Sequence, residues 1–77
     1  MFKLLDTVVL GRDIPESGLR RGDLGAIVGL HSEDAFEVEF VAASGRTQAL
    51  ITLATDDIRH VDDHDLVSVR HLERAAG

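Results

Sequence analysis

Four histidines and a set of carboxylates are the side chains in this sequence with chemistry to offer: His31, His60, His64 and His71, against fourteen Asp and Glu. His60-x-x-x-His64 has the i, i+4 spacing that sets two imidazoles on one helical face for a metal, with Asp62, Asp63 and Asp65 beside it. Asp62-Asp63, however, reads as a turn, and no glutamate stands where a hydrolytic base would, so the segment is expected to be a solvated acidic linker. Asp13, Glu16 and Asp23 around an early loop could pair for acid–base work. No serine or histidine lies at a telling distance, and Asp23 is expected to bond turn amides instead. Gly22-Asp23-Leu24-Gly25 could cradle an anion only if a helix followed, and a strand follows. No catalytic residue, cofactor or metal is therefore expected.

Other carboxylates suit contact rather than chemistry. Glu37 and Glu39 alternate with Phe36, Val38 and Phe40, which puts both on the outer face of one strand. Arg46, beyond the next turn, could pair with them across the hairpin. With Asp34, and with Asp13 and Glu16 in the first loop, they form the candidate partner-binding set, an acidic face for a basic protein. The net charge of −6 points the same way. Nucleic-acid binders usually concentrate Lys and Arg, whereas here only Arg20 and Arg21 adjoin, so neither nucleic acid nor an anionic membrane is an expected partner.

The elements that must hold these groups can be read in order. The strands are expected over 6–10, 24–31, 35–41, 46–53 and 58–61, each β-branched or alternating. Gly11 to Leu19 reads as a loop whose Ile14 and Leu19 fold back onto the body. Gly22 is expected to take positive φ in a tight reversal. Gly25 and Gly29, four residues apart and read onto one strand face with Ile27 between them, suggest strong coiling. Ala54 to Ile58 reads as a 3₁₀ turn with Thr55 as its cap. Leu66, Val69 and Leu72 follow helical spacing and Leu72 to Ala76 favours helix, so the tail is expected to be helical or, failing that, a strand at 67–69.

Seventy-seven residues make one domain with a thin core. Cysteine, tryptophan and tyrosine are absent, so Val, Leu and Ile must fill that core and no disulfide braces it. No apolar run reaches the ~20 residues of a membrane span. Met1-Phe2-Lys3 runs straight into Leu4-Leu5-Asp6 without a leader-like stretch. The expected location is the cytoplasm.

One order of motifs is distinctive: Leu5-Asp6-Thr7-Val8-Val9-Leu10, Asp13-Ile14-Pro15-Glu16, Gly18-Leu19-x-x-Gly22-Asp23-x-Gly25, Glu37-Val38-Glu39-Phe40, Gly45-Arg46-Thr47 and Asp57-Ile58-Arg59. It resembles a bacterial domain-of-unknown-function family, number 4926, over about residues 4–61. The resemblance implies a small SH3-like barrel, which agrees with the all-β, five-stranded reading over 1–61 and its 3₁₀ turn before the last strand; the C-terminal extension over 62–77 lies outside the resemblance. The resemblance also implies likeness to the barrel of the nitrile hydratase β subunit and its activators. Two functional expectations follow. One is an antitoxin or immunity protein that neutralises a basic toxin encoded beside it; the other is an accessory subunit or metallochaperone-like barrel for such an enzyme. In the tail, Leu66, Val69 and Leu72 could cover the barrel or join two copies into a homodimer.

Overall fold

The computed structural model describes residues 1–72. Five strands form one antiparallel sheet: β1 (Thr7–Leu10), β2 (Leu24–Ser32), β3 (Ala35–Val41), β4 (Thr47–Ala54) and β5 (Ile58–His60), in the order β4-β3-β2-β1-β5. The strands from β2 to β4 follow as a meander, and β5 returns to pair with β1. A 3₁₀ turn, Thr55–Asp57, joins β4 to β5. This order is compatible with an SH3-like barrel.

Alternation decides what is buried. Phe36, Val38 and Phe40 on β3 face inward with Val8, Leu10, Ile27, Leu53 and Ile58, and each is buried. Ile14 and Leu19 close the first loop by exchanging backbone hydrogen bonds of 3.0 and 3.1 Å, which turns both side chains into the same core. Inside that loop the chain makes a 3₁₀ turn at Pro15–Ser17, an element not expected from Pro and Gly punctuation alone. Proline at its first position supplies the fixed φ that starts it.

Gly25 and Gly29 do not share a face. Residues opposite one another in an antiparallel pair point to the same side, and the β2–β3 register shifts between Ile27 and Gly29. Gly25 therefore lies inward against Val38 and Phe40, while Gly29 lies outward beside Glu37. The bend comes from the bulge, as bulges bend and twist a strand, and Gly25 lets the strand close in on its neighbours.

Two local expectations need correction. Thr55 does not cap the second 3₁₀ turn: Asp57 Oδ2 accepts the Ala54 N–H at 3.0 Å, and the Thr55 hydroxyl bonds the Asp34 carbonyl at 3.3 Å. The tail over Leu66–Leu72 is neither helix nor strand; the helix-favouring stretch 73–76 lies outside the described residues. Helical spacing there lacks what stabilises a short helix, an apolar face packed on something. Leu66 and Val69 are 92% and 96% exposed, and ion pairs hold the backbone instead.

Candidate functional site

β3 positions Glu37 and Glu39. Its inward residues fix the strand on the core, so the glutamates project together from the outer face, and β4 supplies their partners. The Thr52 hydroxyl donates to Glu37 Oε1, and the Thr47 hydroxyl donates to Glu39 Oε2. Thr52 is the register partner of Glu37. His31 Nδ1 stands 4.0 Å from the same Glu37 oxygen. Among the described residues each glutamate spends one carboxylate oxygen this way and keeps the other unbonded. Arg46 does not pair with them. It precedes β4 in the hairpin turn, where its N–H bonds the Ser44 hydroxyl at 3.3 Å.

The other candidate carboxylates are spread apart. Asp34 occupies the β2–β3 turn, exposed, with its carbonyl accepting the Thr55 N–H at 3.1 Å. Asp13 accepts the Arg21 N–H at 2.8 Å and so ties the first loop to the next turn. Glu16 is exposed on the first 3₁₀ turn. No hydrogen bond or ion pair among the described residues joins Asp13 or Glu16 to the glutamates of β3.

Asp23 does more than bond turn amides. Its Oδ2 accepts the Arg20 N–H at 2.8 Å, as the sequence suggests. Its two oxygens also take Arg70 Nε at 2.8 Å and Nη2 at 2.6 Å, and the same Nη2 reaches the Gly18 carbonyl at 3.0 Å. Burial pushes the Asp23 carboxyl up, but the Arg70 and Arg20 donors outweigh it and hold the group below the ordinary carboxylate range. A second clasp begins the tail. Arg59 donates Nη1 and Nη2 to Asp65 at 2.7 and 2.8 Å, and the Asp62 N–H adds a bond of 2.6 Å. Those donors lower Asp65 to about 2.

His60 and His64 each make contacts of their own. His60 stacks on Phe2 with centroids 4.3 Å apart and faces Asp6 Oδ2 at 3.3 Å. His64 bonds Asp62 at 3.1 Å. Among the described residues no three ligating side chains gather as a metal site needs.

Neither Arg70 nor the two threonines featured in the sequence-based site. The threonines had no signal: a hairpin closing over 42–46 would by itself set Glu37 opposite Ile51, and the bulge between Phe40 and Val41 moves the pairing to Thr52. The Arg70–Asp23 pair had none either, since a contact across 47 positions leaves no spacing to read.

Residues 4–60 match a family model described as "Domain of unknown function (DUF4926)". The chain belongs to that family. The DUF4926 region covers all five strands and the Gly22-Asp23 turn, while the tail that carries Asp65 and Arg70 lies beyond it. No curated protein and no solved structure matches the chain. No helix among the described residues is long and apolar enough to cross a membrane.

Proposed function

We propose that this domain works by protein–protein contact without chemistry of its own, as an antitoxin or immunity protein that occludes a basic toxin encoded beside it. The supporting observation is the outer face of β3. Glu37 and Glu39 are held in place by threonine hydroxyls, each with an oxygen to spare, on a chain of net charge −6. Carboxylates fixed in advance lose little side-chain freedom on binding. A like-signed face also steers a cationic partner and raises its association rate. Asp34 is exposed in the turn that leads into β3. A reducing cytoplasm suits a chain without cysteine.

Co-expression tests this reading. The product of the neighbouring gene should stop growth alone and be tolerated with this chain. Glu37→Gln with Glu39→Gln should slow association and flatten its salt dependence while leaving the fold intact. A neighbour that is harmless alone, or an association rate indifferent to both substitutions, overturns the proposal.

A further inference from the structure

The tail leaves β5 through a tight turn in which the Asp65 N–H bonds the Asp62 carbonyl at 2.9 Å. From there it is fastened twice, by Arg59 to Asp65 and by Arg70 to Asp23, each through a two-nitrogen, two-oxygen contact. Such forked pairs fix orientation as well as distance. Between the clasps run Leu66, Val67, Ser68 and Val69. Leu66, Val67 and Val69 are 92%, 67% and 96% exposed. They do not lie down on the domain. A groove of about 790 Å³ separates this span from a floor that includes Leu24, Phe40 and Val41. Leu24 and Val41 stay 38% and 50% exposed, although apolar side chains able to cover them stand close by.

A loose tail would settle onto that floor, because burying aliphatic surface is favourable. A span held at both ends by rigid forks cannot. We propose that Arg59 and Arg70 are positioning residues that hold Leu66, Val67 and Val69 out as an apolar ridge, which docks against the same basic partner protein. The use of the ridge rests on the protein-contact reading above; its existence does not. Charge selects the occupant. Among the described residues the arginines that line the groove are Arg59 and Arg70, each neutralised within the chain, and exposed Asp62 and Asp63 stand at the ridge's entry. A second copy would bring a further net −6 against this surface, whereas a basic protein meets it with opposite sign.

Backbone ¹⁵N relaxation on the free full-length chain tests the clasps. Wild-type amides at Val67 and Val69 should show order parameters near the ~0.85 of ordered backbone, and Arg70→Ala should drop them below about 0.6. Arg70→Lys should not rescue them, because an ammonium cannot make the forked contact. Arg59→Ala should loosen the same amides from the other end. The β3 amides should remain protected from exchange in all three variants, which separates loss of a clasp from loss of the fold. Wild-type amides as mobile as those of Arg70→Ala, or a span indifferent to both arginines, overturn the ridge. Sedimentation at about 100 μM should give a monomer; a dimer that Val69→Asp disperses assigns the ridge to a second copy and overturns the occupant. Against the neighbouring gene's product, Val69→Asp should weaken binding at least tenfold. Unchanged binding there refutes docking at the ridge yet leaves the protein-contact reading standing.

Discussion

Gly25→Ala is the most direct trial of how β2 is built into this domain. A Cβ at position 25 would sit 2.7 Å from Val38 Cγ1 and 2.9 and 3.1 Å from ring atoms of Phe40. Normal contact is near 3.5–4.0 Å, so something must shift by most of an ångström. Neither neighbour yields easily, for Val38 is fully buried and Phe40 is 2% exposed. Overpacking of this kind costs about 1–3 kcal/mol. Removing glycine returns roughly 0.5–1 kcal/mol through the unfolded chain. The net loss should be about 1–2 kcal/mol, a fall in melting temperature of roughly 5–15 °C for a domain this small. Circular dichroism melts and urea titration of both chains measure it. A double-mutant cycle with Val38→Ala sharpens the test, because that change removes the nearest clashing atom. The pair should be less destabilised than the sum of the single changes by more than about 0.5 kcal/mol. A Gly25→Ala protein as stable as wild type, or a strictly additive cycle, refutes the close-approach argument.

Acid should loosen the tail before the core. Asp23 and Asp65 both have carboxyls held below the ordinary 3.8, Asp65 at about 2, so the unfolded chain takes up protons at higher pH than the folded one. Their contribution is complete above about pH 5 and disappears as pH falls toward 2; urea midpoints across that range should decline, and Asp65→Asn should flatten the decline at its acid end. Phe2→Ala removes an edge-on contact with Phe36, centroids 5.4 Å apart, and the stack on His60. A half-buried aromatic with two ring partners should cost about 1–3 kcal/mol, and calorimetry showing no loss would mean the N-terminal segment does not brace the sheet.

Strand positions were legible because the sheet is half-buried and period two is a strong signal. Ala35 to Val41 was readable to the residue, with Phe36, Val38 and Phe40 inward. Ile14 and Leu19 were readable as apolar residues stranded in a polar loop, which have nowhere to go but the core. What stayed hidden depends on geometry that a pattern does not encode. The bulge after Ile27 moves Gly29 to the opposite face from Gly25, and no residue type announces that shift. Leu5 adopts φ +71°, a left-handed conformation that costs a residue with a Cβ about 1–2 kcal/mol; a leucine gives no hint of it. The tail misled for a related reason. Helical spacing is evidence of a helix only where a surface waits to bury the stripe, and Leu66 and Val69 meet solvent.

Asp23 shows how the family's scaffold and this chain's tail become one object. Its place in the reversal is explained by the Arg20 amide alone, and that bond uses a single oxygen. A carboxylate accepts at about four lone-pair sites, so a side chain fixed for the turn's sake still has capacity facing outward. Arg70 uses that capacity, and its Nη2 takes the carbonyl of Gly18, which ends the first 3₁₀ turn, as well. The tail therefore docks on a rigid site that the fold already required. Substituting Arg70 leaves the turn's own amide bond in place, whereas substituting Asp23 removes both. Stability should thus respond more to Asp23→Ala than to Arg70→Ala, while the order of the tail should respond equally to both. If the two substitutions cost the same in stability, the turn does not depend on Asp23, and its position beside Gly22 would have to be explained by the tail alone.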